Sequence, residues 1–344
     1  MIQNPALIDD VPSLYKVKVI FIEKQDGTKR PIQIAESFVR LFHKMIVQQI
    51  QAKALKKMSI AQVANRPDQF MVLANRIDEV LKGGRRSLLK IDIKNAFNSI
   101  PHSVITWGLE AINIDEKLKN YILKMLKSRK ADIDVQLKTG VPQGDPLSML
   151  LFIIAINPLI MLLGKEFGEG SIVAYADDIL ITGKKNFTET DISKVVQLAG
   201  YFGLKVNREK CQMINKEDDA QILFAGVPLT TTERVQRVEE ITSKYKKELQ
   251  NLENLEIPQH HKLILFQACV NHEQLFHMFV EKSDLDSWED ANKAAIDYLQ
   301  KILGIDDLPT ELVELSWELG GLDTILPNTQ KLAVNEWKKQ VAAQ

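Results

Sequence analysis

Hydrophobic and polar residues alternate near the start of the chain and recur at helical spacing soon afterwards. Residues 15–34 form two alternating arms around Asp26-Gly27, a pair typical of tight turns, and they predict a β-hairpin. Ser37 is of a type that caps helix N-termini, and a helix is predicted from there. Its apolar residues at helical spacing are Phe38, Leu41, Phe42, Met45 and Ile46.

The same patterns predict an α+β chain whose character changes near residue 231. Apolar strands are predicted at 87–93 and in a hairpin at 172–180, with a short strand at 132–137 and a further hairpin at 221–229. Helices between them are predicted at 102–112, 116–130, 147–163 and 188–203. From 231 onward, long amphipathic helices are predicted at 231–250, 259–280 and 285–303. Two domains follow from this change, residues 1–230 and residues 231–344.

The longest apolar run, Leu147 to Leu163, predicts a buried helix and not a membrane span. Asn157-Pro158 interrupts it, and it is shorter than the roughly 20 residues that a span needs. The N-terminus has no basic region followed by an apolar run, so no signal peptide is predicted. Cys211 and Cys269 lie far apart and indicate neither a disulfide framework nor a zinc site. An intracellular protein of the nucleus or cytoplasm, without a membrane partner, is expected.

Charge is distributed unevenly although the formal net charge is only −1. Residues 1–94 carry 17 Lys and Arg against 9 Asp and Glu, whereas residues 231–344 carry 12 against 20. The basic front of the chain is therefore the candidate surface for a polyanion such as a nucleic acid.

Three carboxylates are the main candidates for chemistry. Asp177 and Asp178 are adjacent between the apolar arms of the 172–180 hairpin, and Asp92 is the single acid of the apolar strand 87–93. Crowded carboxylates repel each other and lose hydration, so they are expected to hold a hard divalent cation. Asp92 and Asp177 could share the same metals from adjacent strands. The alternative is an ordinary solvated Asp-Asp turn.

Further candidates surround these acids in the sequence. Lys24 and Arg30 flank the first hairpin turn and could grip a phosphate chain, although a charged edge hairpin is the simpler interpretation. The loop 140–148 combines two glycines and two prolines immediately before the apolar helix. It would place backbone N–H groups and Gln143 where a phosphate or a nucleotide edge could dock. His43 alone is more typical of a structural histidine than of a catalyst.

Taken together and in order, these motifs resemble the reverse transcriptase family over residues 15–230. The matching motifs are Lys24 with Arg30-Pro31-Ile32, Asp92-x-x-x-Ala96-Phe97, Gly140-Val141-Pro142-Gln143-Gly144 with Pro146-Leu147-Ser148, Tyr175-Ala176-Asp177-Asp178, and Leu204-x-x-Asn207-x-x-Lys210. Within the family the chain is most similar to LINE-type, non-LTR retrotransposon enzymes. This similarity rests on Arg30-Pro31-Ile32 followed by Arg40-Leu41-Phe42-His43-Lys44, on the Gly140-Val141-Pro142-Gln143-Gly144 loop, and on Leu308-Pro309 with Gly320-Gly321-Leu322. Group II intron maturases and other prokaryotic reverse transcriptases share the core motifs.

The resemblance implies an RNA-directed DNA polymerase with the right-hand fold. Residues 1–230 would form fingers and palm, with an antiparallel sheet covered by helices, and residues 231–344 a helical thumb with a C-terminal extension. Partners would be an RNA template, a DNA or RNA primer, and dNTPs. Two Mg²⁺ ions, with Mn²⁺ as a substitute, would be held by Asp92, Asp177 and Asp178.

The resemblance also implies roles for the residues around the metals. Lys24 and Arg30 would bind the triphosphate, and Phe97 would block a ribose 2′-hydroxyl. Gln143 and Gly144 would bound the nucleotide pocket, and Tyr175 would lie near the primer end. Lys210 would protonate the leaving pyrophosphate.

The sequence departs from the family pattern at Asn98, where many relatives carry a second acid. No endonuclease module, Cys/His knuckle or long basic extension is evident, so a missing endonuclease or basic nucleic-acid-binding module is expected as a partner. Two other functions stay open on the sequence: a catalytically silent scaffold that binds RNA or protein, and a small-molecule nucleotidyltransferase. Retention of all three carboxylates favours the polymerase over the scaffold, because such charges repel each other without a metal.

Overall fold

The computed structural model describes residues 11–23, 27–82, 84, 86–132, 139–233, 237–281, 283 and 285–342. The chain forms two compact units, here called the N-terminal unit (1–69 and 76–233) and the C-terminal unit (70–75 and 234–344). Lys24, Asp26 and most of the strand predicted at 132–137 lie outside the described residues.

The predicted first hairpin is confirmed and belongs to a three-stranded sheet. Strand β1 (Lys16–Glu23) pairs antiparallel with β2 (Lys29–Ala35), with Ile22 opposite Arg30. On its other side β1 pairs parallel with the short β4 (Lys130–Ala131). Of the strand predicted at 132–137, only Asp132 lies among the described residues, and β4 ends just before it.

A four-stranded antiparallel sheet forms the centre of the N-terminal unit. Its strands are β3 (Ser87–Ile91), β5 (Ile172–Tyr175), β6 (Asp178–Gly183) and β7 (Gln212–Ile214), in the order β5-β6-β3-β7. Apolar residues fill β3, β5 and β6 almost without a break because the sheet is buried on both faces. The strands predicted at 87–93 and 172–180 are thus confirmed. A separate hairpin is formed by β8 (Ile222–Phe224) and β9 (Val227–Leu229).

Helix α1 (Ser37–Leu55) confirms the predicted helix but corrects two details. Glu36, not Ser37, is its N-cap residue, and Ser37 is the first residue inside the helix. The apolar residues that recur at helical spacing do not share one face: Ile46 is buried, while Phe38, Leu41 and Met45 are each more than half exposed. The buried face instead consists of Val39, His43, Ile46, Ile50 and Ala54.

The other helices of the N-terminal unit pack around the central sheet as amphipathic or fully apolar segments. They are α2 (Gln69–Leu81, whose first turns belong to the C-terminal unit), α3 (Ala96–Ser99), α4 (His102–Ala111), α5 (Glu116–Ser128), α6 (Ser148–Phe167) and α7 (Glu189–Gly200). In the described part of the chain, α6 alone has the length and mean hydropathy of a membrane span. The structure packs α6 into the core, as the sequence predicts.

The C-terminal unit is helical and has its own core. Its helices are α8 (Val238–Glu253), α9 (Gln259–Leu265), α10 (Asn271–Val280), α11 (Glu289–Leu303), α12 (Thr310–Glu314) and α13 (Pro327–Ala342). A π-helical turn, Phe266–Val270, joins α9 to α10 and interrupts the single helix predicted at 259–280. The helix predicted from 231 begins only at Val238. Trp288, Phe266 and Met278 are fully buried in this core.

Candidate active site

Two paired strands of the central sheet end at the same place and bring the three acids near each other. In the β3–β6 ladder Ile91 lies opposite Ile179. Continuing that antiparallel register by one residue sets Asp92 against Asp178, and directly opposed residues of an antiparallel pair have neighbouring side chains. Ala176 and Asp177 form the two-residue turn that closes the β5–β6 hairpin, so Asp177 lies immediately before Asp178.

The crowding of these acids is visible in the electrostatics of Asp177. Burial is the largest effect on its pKa, followed by the negative charge of Asp178 and, more weakly, that of Asp92, and together they raise the pKa from 3.8 to about 6. The positive charge of Arg30 acts in the opposite direction. Arg30 therefore lies within electrostatic reach of Asp177.

Asp178 has a cationic partner that the sequence analysis missed. The Lys90 ammonium on β3 lies 3.4 Å from a carboxylate oxygen of Asp178. The same Nζ donates to the backbone C=O of Leu223 in the β8–β9 hairpin at 2.5 Å. Lys90 thus links an acid of the site to that hairpin.

As the side chains stand, no three His, Cys, Asp or Glu residues in the described ranges are close enough together to hold a metal ion. The donor set nevertheless fits a hard divalent cation, because carboxylate oxygens are its preferred ligands. The raised pKa of Asp177 has the same implication: a cation beside Asp92, Asp177 and Asp178 would favour the ionised carboxylate that burial and the two neighbouring acids disfavour.

The turn that carries Asp177 is strained and is held by a buried glutamine. Ala176 has φ +55°, in the left-handed region that residues with a Cβ seldom adopt. Gln62 is fully buried, and its amide contacts both polar groups of Ala176: Nε2 donates to the C=O at 3.1 Å, and Oε1 accepts from the N–H at 3.0 Å. Gln62 lies beside β5, where it forms a parallel bridge with Ala174.

The glycine-rich loop before α6 is packed against two neighbouring segments. The C=O of Gln143 accepts a hydrogen bond from the N–H of Gln33 on β2 at 2.6 Å. A Cβ on Gly144, which has φ +108°, would lie 2.9 Å from Ile32 Cγ2. Close to Asp92, the N–H of Val141 donates to the C=O of Phe97 at 2.7 Å. The loop therefore connects the strand that bears Arg30 with the segment that follows Asp92.

Phe97 is half-buried on α3, and its ring stacks on Phe152 of α6 with centroids 4.4 Å apart and planes 15° apart. This contact fixes the ring direction while part of the side chain stays accessible. Tyr175 is half-buried and donates from its hydroxyl to Gln69 Oε1 at 3.3 Å. Lys210 is exposed on a short 3₁₀ turn, and the N–H of Asn207, just before that turn, donates to the C=O of Asp92 at 2.8 Å.

A buried polar network supports the loop from behind. His43 Nδ1 lies 2.6 Å from Asp145 Oδ2, and His43 Nε2 lies 3.1 Å from the Tyr121 hydroxyl. Asp145 also accepts from the N–H of Leu147 at 2.8 Å, at the start of α6. Arg129 donates to the C=O of Gly140 at 2.9 Å. His43 is structural in this arrangement, in agreement with the simpler interpretation of its sequence context.

The structure thus gathers most of the predicted site residues in one region of the N-terminal unit. Asp92, Asp177 and Asp178 lie at the strand ends, and Arg30 acts electrostatically on Asp177. Backbone hydrogen bonds link the Phe97, Gln143 and Lys210 segments to their neighbours. Lys24 lies outside the described residues. The sequence analysis missed Lys90 and Gln62. A lone lysine in an apolar strand was a usable signal for Lys90, whereas Gln62 lies in an irregular segment and gave none.

Solved structures with a similar fold define the class to which the fold of this chain belongs. The apo telomerase of Candida tropicalis matches 93% of the chain and 63% of its own, with a TM-score of 0.58 at 14% identity. The RNA-dependent RNA polymerase of a human picobirnavirus matches 90% of the chain and 64% of its own, with a TM-score of 0.51 at 14% identity. The predicted α+β right-hand polymerase fold is thereby confirmed.

Sequence comparison identifies the family within that class. The profile of the family described as "Reverse transcriptase (RNA-dependent DNA polymerase)" matches residues 22–239, more than half of the chain, and the chain belongs to this family. Its members are nucleotidyltransferases that generally use divalent metals. The family predicted from the motifs is confirmed.

Individual relatives are Pol polyproteins of retrotransposable elements. The "Retrovirus-related Pol polyprotein from type-1 retrotransposable element R2" of Popillia japonica is 28% identical over 209 residues, which are 54% of this chain and 29% of the relative. The protein of the same name from Nasonia vitripennis is 25% identical over 224 residues, 57% of this chain and 22% of the relative. The chain spans less than a third of the length of these relatives.

Proposed function

We propose that the chain is an RNA-directed DNA polymerase of a non-LTR retrotransposon, which adds dNTPs to a primer 3′-hydroxyl on an RNA template. The observation that carries this proposal is the crowding of Asp92, Asp177 and Asp178 at two paired strand ends, with Arg30 within electrostatic reach. The similarity to R2 Pol polyproteins supports the subgroup.

Two Mg²⁺ ions held by Asp92, Asp177 and Asp178 would activate the primer hydroxyl and neutralise the triphosphate in an in-line displacement, with Mn²⁺ as a substitute. The protein's own groups position the substrates. Arg30, with Lys24, binds the triphosphate through charge-assisted hydrogen bonds. Lys210 donates a proton to the leaving pyrophosphate.

The remaining residues select the nucleotide and the primer end. Gln143 and Gly144 form one wall of the nucleotide pocket, on a loop that β2 holds through the Gln33–Gln143 hydrogen bond. Phe97 excludes the ribose 2′-hydroxyl, with its ring direction fixed by Phe152. Tyr175 lies at the primer terminus.

The N-terminal unit corresponds in this proposal to fingers and palm, and the C-terminal unit to the thumb. An RNA template, a DNA or RNA primer and dNTPs are the partners. Solved telomerase structures in this fold class include one from Candida albicans in complex with a fragment of telomeric RNA, at 15% identity and a TM-score of 0.51. An endonuclease or a basic nucleic-acid-binding module is a further proposed partner.

The direct test is primer extension on an RNA template with dNTPs and Mg²⁺, with Asp177→Ala run beside the wild type. Extension by the wild type and its loss in the variant, with an unchanged circular dichroism spectrum, would support the proposal. A folded wild type that binds RNA but does not extend a primer would overturn it and favour the silent scaffold. Equal extension by both proteins would remove Asp177 from the metal site.

A further inference from the structure

We propose that Gln62 is a positioning residue for the catalytic acids: its side-chain amide holds the left-handed peptide at Ala176 and thereby fixes the direction of Asp177. This inference rests on the proposed function, since it concerns the same metal site. It is carried by the hydrogen-bond geometry of one buried side chain and by the strain in the turn that this side chain contacts.

Ala176 is in a conformation that its own chemistry disfavours. A residue with a Cβ at φ +55° brings that carbon close to its own carbonyl, which disfavours this conformation for alanine. Ala176 is also buried, so its N–H and C=O cannot be satisfied by bulk water. Such a turn persists only where the surroundings determine it, and strained residues of this kind are concentrated at functional sites.

The side-chain amide of Gln62 holds the turn at Ala176 in this conformation. An amide is flat and offers one donor and one acceptor side by side, which matches the N–H and C=O of Ala176. The two contacts are 3.1 Å from Nε2 to the Ala176 C=O and 3.0 Å from Oε1 to the Ala176 N–H. Oε1 also accepts from the N–H of Ala64 at 3.1 Å, which fixes the amide itself.

The backbone around Gln62 is attached to the same hairpin. The N–H of Val63 donates to the C=O of Ala174 at 2.8 Å, and the N–H of Ala174 donates to the C=O of Ala61 at 2.8 Å. Residues 61–63 therefore extend the central sheet beyond β5. The side chain of Gln62 reaches from this extension to the turn, so the position of Asp177 depends on both.

The decisive experiment compares Gln62→Met, Ala176→Gly and the double variant. Methionine has nearly the size of glutamine but neither hydrogen bond, and glycine adopts positive φ without the Cβ penalty. The first readout is Mg²⁺ binding without any nucleotide, measured as the Mg²⁺-dependent shift of the thermal unfolding midpoint. The second readout is the Mg²⁺ concentration that gives half-maximal primer extension.

Gln62→Met is expected to weaken Mg²⁺ binding by about 10–100-fold, the range found when groups that orient metal ligands are removed. Ala176→Gly alone should bind Mg²⁺ nearly as the wild type does. The double variant should bind Mg²⁺ more tightly than Gln62→Met, because glycine removes the strain that Gln62 otherwise opposes. This rescue separates positioning of Asp177 from a general contribution to the fold.

Gln330→Met is the matched control in the C-terminal unit. Gln330 is also buried, and its Nε2 donates to the C=O of Asn271 at 3.3 Å and to that of Ile325 at 2.8 Å. Replacing it with methionine removes a buried, hydrogen-bonded side-chain amide from the other core and should leave Mg²⁺ binding unchanged. Should Gln62→Met not fold, Gln62→Asn takes its place: it keeps an amide but is one CH₂ shorter, so it cannot reach both polar groups of Ala176, and a smaller loss is expected.

Wild-type Mg²⁺ binding by the Gln62 variant would overturn the inference, as would an equal loss with and without Ala176→Gly. A failure of the proposed function can be distinguished from a failure of this inference. A wild type that binds Mg²⁺ through Gln62-dependent geometry, but extends no primer, would count against the polymerase and not against the positioning role.

Discussion

At the scale of single residues, the site is built from groups whose costs are visible in the structure. Asp177 is held beside two other carboxylates, Ala176 is held at positive φ, and the Lys90 ammonium lies against Asp178. The first two features cost stability without a cation in the site or a partner on the backbone, whereas Lys90 offsets part of the negative charge at Asp178. The acids should therefore trade stability for function, and this trade can be measured at Asp177.

Asp177→Asn is expected to stabilise the metal-free protein at neutral pH. Its folded pKa of about 6 lies above the ordinary 3.8, so the folded state retains a proton that the unfolded state has lost between these values. The stability that this group contributes is full below pH 3.8 and is lost as the pH rises through about 6, a difference of about 3 kcal/mol. Asparagine removes this pH dependence.

The measurement is urea unfolding of the wild type and Asp177→Asn without Mg²⁺ at a series of pH values. The two free energies of unfolding should converge near pH 4 and separate in favour of the variant above pH 6. Added Mg²⁺ should stabilise the wild type alone. A difference that is independent of pH would show that the raised pKa does not arise from the folded site.

Phe97→Val is expected to admit ribonucleotides. A smaller side chain leaves space for a 2′-hydroxyl, so the preference for dNTPs over rNTPs in kcat/KM should fall by roughly tenfold or more. Phe152→Leu is the control, because it removes the ring on which Phe97 stacks while keeping Phe97 itself. It should reduce stability and lower the preference for dNTPs less than Phe97→Val does, because the Phe97 ring is still present but is no longer held by Phe152. Unchanged selectivity in Phe97→Val would reject the assignment of the steric gate.

At the scale of elements, the sequence predicts strands and helices that depend on a local pattern of residues. It does not predict contacts between residues that are far apart in the chain. The hairpin at β5–β6 and the buried α6 follow from apolar runs and from the residues that end them. The role of Gln62 depends on contacts with Ala176, 114 residues further along the chain, and no periodicity indicates such a pair. Helix α1 shows the same limit: its recurring apolar residues include exposed Phe38, Leu41 and Met45.

The loop before α6 gives the prediction for this scale. Gly144→Ala would place a Cβ 2.9 Å from Ile32 Cγ2 and 3.0 Å from the Gln33 C=O, at a φ of +108°. The added Cβ should push the loop away from β2. The hydrogen bond between Gln33 and Gln143 would then lengthen, and the nucleotide pocket would widen. Steady-state extension should show a dNTP KM raised by about tenfold, equivalent to about 1.4 kcal/mol of binding, with a smaller change in kcat.

Gly170→Ala is the corresponding control. Gly170 has no heavy atom within 4 Å of the position that its Cβ would take, and its φ is not positive. This variant should keep the wild-type KM and unfolding midpoint. An unchanged KM in Gly144→Ala as well would exclude the loop from the nucleotide pocket.

At the scale of the whole molecule, two separate cores divide the stability of the chain. The acids belong to the N-terminal unit, whereas Trp288, Phe266 and Met278 are buried in the core of the C-terminal unit. Of the four tryptophans, Trp288, Trp317 and Trp337 lie in the C-terminal unit and only Trp107 in the other. Tryptophan fluorescence therefore reports chiefly on the unit that does not contain the metal site.

Mg²⁺ is accordingly expected to shift one unfolding transition and not the other. A ligand that binds only the folded state stabilises it by about 2.7 kcal/mol at a hundredfold excess over its Kd, which corresponds to about 5–10 °C for a unit of this size. The transition that far-ultraviolet circular dichroism shows in addition to the fluorescence transition belongs to the N-terminal unit and should move by that amount. The fluorescence transition should stay in place, and neither should move in Asp177→Asn. An equal shift in both signals would mean that the two cores unfold as one cooperative unit, because binding at the carboxylates would then stabilise the surroundings of Trp288 as well.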